Sequence, residues 1–124
     1  MLLEIVRSLL IGAEVTLEVT LQAALLGCGV AFVVGISRLA RHPVIRIAAG
    51  LYVEIMRGVS ALVVLFWFYF ALPFFGIQLT ALEAGVLGLG LTYGAYGAEV
   101  VRGAIVQVPQ AQWEAAMALN MTRA

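Results

Sequence analysis

Charged residues are so sparse and so unevenly spaced that most of this chain cannot face water. Of its 124 residues, 64% are hydrophobic and 11% are charged, whereas an average soluble domain is about 25% charged. A small soluble domain exposes a large surface for its volume, and seven acidic and seven basic side chains cannot cover it. We therefore predict that the chain folds in a lipid bilayer.

Three charge-poor segments are candidates for membrane passes, because a spanning helix needs about 20 apolar residues. Residues 19–37 and 84–98 carry no charge, and residues 63–70 are the most hydrophobic part of the chain. The second and third segments are short, so each is expected to include flanking residues. The predicted passes are residues 15–37, 50–72 and 82–103. The fold class is therefore all-α, a multi-pass transmembrane helical bundle of about three passes.

Small residues recur every four positions in the first and third passes. They are Gly27, Ala31 and Gly35 in the first pass and Gly90, Gly94 and Ala98 in the third. In a membrane, such residues let helix backbones approach closely. The third pass is therefore predicted to pack inside the bundle, between other helices.

The first eighteen residues have a different pattern. Glu4, Arg7, Glu14 and Glu18 gather on one arc of a helix, and leucines and valines occupy the other side. This is typical of an amphipathic helix that lies at the membrane interface. A cleavable signal peptide is the alternative, but it requires a basic start and no acidic residues before the apolar run.

Arginine placement predicts the orientation of the passes. A cluster of arginines lies at residues 38–46, two more follow the third pass, and residues 72–82 contain none. Cytoplasmic loops carry the excess of basic residues. The N-terminus is therefore predicted to lie outside and the C-terminus in the cytoplasm.

Composition also excludes several function classes. The net charge is zero, so there is no basic field for nucleic acid. Every basic residue is arginine, which excludes a lysine-containing phosphate-binding P-loop, and ATP hydrolysis is expected in a partner subunit. Cys28 and His42 are single and form no disulfide or metal pattern. We therefore predict no enzyme, no catalytic residues, no metal and no cofactor.

The most informative motif is the run Gln-Ala-Gln-Trp-Glu-Ala-Ala-Met-Ala-Leu-Asn-Met-Thr at residues 110–122. It resembles the start of the cytoplasmic E-A-A loop of bacterial ABC importer permeases. The resemblance implies a short helix, within the segment 107–124, that docks in a cleft of the ATPase subunit. The predicted coupling residues are Glu114, Ala115, Ala116, Leu119, Asn120 and Met121. Asn120 replaces the glycine usual in the motif and is predicted to end the helix in a left-handed conformation, which asparagine tolerates.

Two further runs are similar to the polar amino-acid branch of the same family. Residues 52–58 resemble its Y-x-E-x-x-R-G signature, and residues 93–105 resemble the third-pass signature before the E-A-A loop. The chain departs from the family at residues 59–61, where Val-Ser-Ala replaces Thr-Pro-Leu. This variant and Asn120 resemble the ectoine and hydroxyectoine permeases. The resemblance implies a type I ABC importer transmembrane domain of which residues 1–124 are an incomplete, N-terminal part.

Two charge pairs are predicted at the cytoplasmic ends of the second and third passes. They are Glu54 with Arg57 and Glu99 with Arg102. Residues three apart can touch on a helix. Two interpretations stay open: the pairs anchor the passes at the interface, or they are joints that pass ATPase movement to the bundle.

The resemblance implies a permease subunit of the bacterial inner membrane that imports polar amino acids or related compatible solutes by alternating access. Its partners would be an ABC ATPase subunit, a second permease subunit, identical or paralogous, and an extracytoplasmic solute-binding protein. The alternative is a small self-assembling membrane exporter or channel. That alternative predicts a functional charge deep within a pass, whereas the three apolar cores are free of charge.

The orientation can be tested with single cysteines at Arg41 and Gln78 in a Cys28→Ala background. We expect an impermeant thiol reagent to label position 78 but not position 41 in intact cells, because the basic loop faces the cytoplasm. Position 41 should become reactive after the cells are broken, which controls for burial. Labelling of position 41 and not 78 in intact cells would reverse the topology.

Overall fold

The computed structural model describes residues 1–121, and every regular element within them is a helix. The elements are α1 (Leu2–Ser37), α2 (Pro43–Gly58), α3 (Ala61–Phe66) continuing as a π-helical turn (Trp67–Ala71) and a 3₁₀ turn (Leu72–Phe75), α4 (Ala81–Val106) and α5 (Gln110–Ala118). The predicted all-α fold class is confirmed.

The first helix is uninterrupted, so the boundary that the sequence predicted between an amphipathic helix and a first pass is absent. Its 36 residues extend for about 54 Å, more than the roughly 30 Å hydrocarbon core of a bilayer. Within this helix, the hydroxyls of Thr16 and Thr20 donate to the carbonyl oxygens of Gly12 and Thr16, at 2.8 and 2.6 Å. Every residue from 1 to 18 is exposed.

The second predicted pass is not one continuous helix. The segments Pro43–Gly58 and Ala61–Phe75 meet at an angle of 103°, because the chain is extended at Val59 and Ser60. Gly58 weakens the helix at this point. Ser60 has φ −63° and ψ 138°, angles that proline also adopts. At position 60, where the resembled family has proline, serine therefore adopts the backbone conformation that proline would have.

A capping box starts α4 close to the predicted beginning of the third pass. The backbone N–H of Glu83 donates to the hydroxyl oxygen of Thr80 at 3.3 Å, and the backbone N–H of Thr80 donates to the Glu83 carboxylate at 2.8 Å. These reciprocal bonds satisfy two amides that lack helical partners. The start of α4 is therefore encoded locally.

The core is the contact between the small-residue faces of α1 and α4, which we call the seam. The buried residues of α1 recur every four positions and are Ala23, Gly27, Ala31 and Gly35. On α4 the structure buries Gly90, Gly94 and Ala98. A Cβ atom added at Gly94 would lie 2.7 Å from Val30 and 3.2 Å from the carbonyl oxygen of Gly27. The two backbones are therefore as close as glycine permits.

The remaining helices pack on other faces of α4. Val53 of α2 is 1% exposed and forms a small apolar cluster with Ala95 and Ala98. The hydroxyl of Tyr52 donates to the carbonyl oxygen of Leu91 at 2.7 Å. Because α4 contacts α1, α2 and α3, it occupies the central position predicted for the third pass.

Most large apolar side chains stay exposed, including Leu25, Val33 and Phe74. By length and composition, the helices among residues 1–121 that could cross a membrane are α1 and, if the bent pair counts as one span, residues 43–75. Glycines and tyrosines dilute the hydropathy of α4. That α4 crosses the membrane stays a prediction.

The seam predicts that Gly94→Leu will lower the folded yield of the full-length protein. The new side chain would meet Val30 and force the helices apart, and overpacking of this kind costs about 1–3 kcal/mol. Gly29→Leu is the matched control, because a Cβ atom at Gly29 meets nothing within 4 Å. Fluorescence-detected size-exclusion chromatography measures both yields. Equal yields for the two variants would contradict the seam.

Candidate functional site

Helix α5 is short and exposed. Pro109 precedes it as the N-cap, in an extended backbone conformation. The side-chain amide of Gln110 donates to the Glu114 carboxylate at 3.1 Å. From residue 110 to 121 every residue is exposed except Ala116, which is partly buried. Helix α5 therefore offers nearly its whole surface for contact.

Asn120 ends α5 in the left-handed conformation, with φ 61°, which confirms the prediction. The backbone N–H of Met121 donates to the carbonyl oxygen of Ala116 at 3.1 Å, and that of Asn120 donates to Met117 at 3.0 Å. These two bonds make a Schellman motif. Asn120 thus adopts the left-handed conformation at the position where the resembled family has glycine.

The predicted coupling residues lie together on α5 and its C-terminal turn. We call this set the α5 surface: Glu114, Ala115, Ala116, Leu119, Asn120 and Met121. Its two large apolar side chains, Leu119 and Met121, are 76% and 63% exposed. Its alanines leave the helix backbone accessible to a close-fitting partner. The α5 surface therefore combines small, apolar and charged contacts at one end of the bundle.

The two predicted charge pairs behave differently. Oε1 of Glu99 lies 3.1 Å from Nη2 of Arg102, so this pair is formed on α4. The predicted pair of Glu54 with Arg57 is wrong, since no ion pair joins them in the part of the chain that the structure describes. The Arg57 guanidinium instead lies 5.5 Å from the ring centroid of Tyr96. The negative face of the ring attracts the cation, so Arg57 joins α2 to α4.

Glu99 also binds Arg38, a contact that the sequence analysis missed. Nη1 of Arg38, the residue that caps α1, donates to Oε2 of Glu99. The two residues are 61 positions apart, so helical spacing cannot reveal them. The one available signal was that both lie at predicted cytoplasmic ends of passes. We call Glu99, Arg38 and Arg102 the Glu99 cluster.

A cavity of about 600 Å³ lies beside the Glu99 cluster. Its lining includes Arg57 from α2, Tyr96 and Glu99 from α4, and Gln107 after α4. These side chains offer ionic, aromatic and amide contacts, and none of the lining residues carries an aliphatic hydroxyl, thiol or amine. The Glu99 cluster and Arg57 therefore hold α1 and α2 against α4 at this end of the bundle. No group of three metal-ligating side chains comes together within residues 1–121.

Curated relatives of the chain are permease proteins. A probable amino-acid ABC transporter permease of Sinorhizobium fredii is 47% identical over 117 residues, which cover 90% of this chain and 49% of the relative. A putative glutamine transport system permease of Rickettsia prowazekii is 37% identical, with 90% and 52% covered. An L-cystine transport system permease of Bacillus subtilis is 31% identical, with 90% and 47% covered. The chain therefore spans about half the length of the curated relatives it matches. No protein-family model matches it.

A solved structure of an amino acid ABC transporter has a similar fold. The chain superposes on the crystal structure of an amino acid ABC transporter with histidines at a TM-score of 0.79 and 34% identity, over 87% of this chain and 50% of that one. Sequence and fold therefore agree over most of the described residues. In sequence and fold, the chain is therefore similar to about half the length of amino-acid ABC transporter permeases, which are membrane proteins.

Proposed function

We propose that this chain is part of the permease subunit of an ATP-binding-cassette importer in a bacterial inner membrane. The observation that carries the proposal is the α5 surface, an exposed and sharply ended helix that directly follows the central helix α4. The names of relatives include glutamine and L-cystine transport, which supports polar amino acids as the substrate class. The Val-Ser-Ala variant at residues 59–61 and Asn120 favour related compatible solutes such as ectoine within that class.

In this proposal, the α5 surface docks in a cleft of a separate ATPase subunit. Ala115 and Ala116 allow the partner to approach the helix backbone, and Leu119 and Met121 leave water on docking. Each square ångström of apolar surface removed from water contributes about 25 cal/mol. The Asn120 turn ends the helix sharply, so the docked element is compact. Force passes across such a contact only where the two surfaces fit closely.

Helix α4 is the route by which movement at α5 reaches the bundle. Residues 107–109 form the whole connection between the two helices, and α4 contacts α1, α2 and α3. Two permease subunits, identical or paralogous, enclose the path in this proposal. A solute-binding protein delivers the substrate from outside, and ATP binding shifts the population from inward-facing to outward-facing states. The N-terminus lies outside and the C-terminus in the cytoplasm.

The docking role predicts that Ala115→Trp uncouples the transporter. Indole would hold the two surfaces apart, and a cost of about 1.4 kcal/mol already weakens binding about tenfold. The measurements are co-purification of the ATPase with the full-length permease and substrate-stimulated ATP hydrolysis in proteoliposomes. We expect both to fall, with an unchanged yield of folded permease.

Ala115→Ser is the matched control, since it adds one small atom at the same exposed position and should keep both activities. A permease with Ala115→Trp that retains the ATPase and its stimulation at the wild-type level would show that α5 is not the coupling helix.

A further inference from the structure

We propose that Glu99 is a positioning residue that fixes α1 against α4, so that movement received at α5 reaches α1 as well as α4. The proposal rests on the proposed function, because it takes α5 to be the element that the ATPase moves. It extends to α1 the interpretation that charge pairs at the ends of passes act as joints, because the Arg38–Glu99 contact joins two different helices.

Apolar packing along the seam holds the two helices together, and one polar contact adds a directional link between them. Besides glycines and alanines, the seam includes Leu26 and Val30, whose side chains face Gly90 and Gly94, and these apolar contacts have no preferred direction. Across the seam, the residues that the structure describes contain one side-chain hydrogen bond, from Arg38 to Glu99. A directional contact between fixed atoms is lost when one helix shifts along the other. The Arg38–Glu99 bond therefore adds a directional constraint on the axial register to the packing of the seam.

Arg102 completes the arrangement by orienting the Glu99 carboxylate. Its Nη2 and Nε atoms lie 3.1 and 3.3 Å from Oε1 of Glu99, which leaves Oε2 for Arg38. The Arg38 and Glu99 side chains are only 18% and 31% exposed. In such a partly desolvated place a charge pair is stronger than in water. The cluster is therefore a firm connection rather than a loose surface pair.

The position of the cluster along α4 fits this role. Glu99 lies seven residues before the end of α4 at Val106, or about 10 Å along the axis. Movement that enters α4 from residues 107–109 therefore meets the Glu99 cluster before it meets the glycines at positions 90 and 94. Without the connection, only the apolar packing of the seam would carry movement of α4 to α1.

The test is the amount of solute imported per ATP hydrolysed by the full-length permease, assembled with its ATPase and binding protein in proteoliposomes, with radiolabelled glutamine as the first probe. Arg38→Gln removes the connection between helices, and we expect it to lower this ratio about twofold to thirtyfold, the range for residues that couple two sites. Arg41→Gln is the matched control, because Arg41 is an exposed arginine of the same loop, and it should leave the ratio unchanged. The ratio does not depend on how much protein folds, so a purely structural role would not alter it.

Charge exchange provides a second test if Arg38→Gln folds poorly. In an Arg102→Gln background, Arg38→Glu should lower the ratio, and Arg38→Glu combined with Glu99→Arg should recover about half of the loss or more, because the pair is restored with opposite signs. A wild-type ratio in Arg38→Gln, or no recovery in the exchanged pair, overturns the proposal while leaving the proposed function intact. A wild-type complex that hydrolyses ATP but imports no polar amino acid or compatible solute overturns the proposed function and this inference with it.

Discussion

Close contact between the small-residue faces of α1 and α4 is the constraint on which the rest of the structure depends. In a bilayer an apolar side chain gains little by leaving lipid for another helix, so association relies on close packing. The carbonyl oxygen of Gly90 would lie 3.3 Å from a Cβ atom at Gly27, so a side chain there would push the backbones apart by a few tenths of an ångström. Once α4 is held there, it presents Ala95 to Val53 and the carbonyl oxygen of Leu91 to Tyr52. The seam therefore also determines where α2 can pack.

Local features of the structure were predictable from the sequence. The four-residue spacing of Gly27, Ala31 and Gly35 follows from helix geometry and needs no knowledge of the partner. The same is true of Glu83 in the first turn of α4 and of Asn120 at the end of α5. Each of these features depends on residues within one or two helical turns of one another, so the sequence of that short segment is enough to predict it.

Tertiary contacts were not predictable in the same way. Arg57 had two available partners, Glu54 on its own helix and the ring of Tyr96 on α4, and only the packing of α2 decides between them. Arg38 and Glu99 meet because the seam aligns the ends of two helices. The break after Gly58 shows the same limit, because composition favoured a continuous apolar helix and the extended backbone at residues 59 and 60 ended it.

That break has a consequence for hydration. Ser60 forms no side-chain cap for the first turn of the helix that follows, so amides there need partners from elsewhere. Lipid tails offer none, and each unsatisfied backbone group in hydrocarbon costs several kcal/mol. Wherever the bend lies within the bilayer, water or polar groups of protein must therefore reach it.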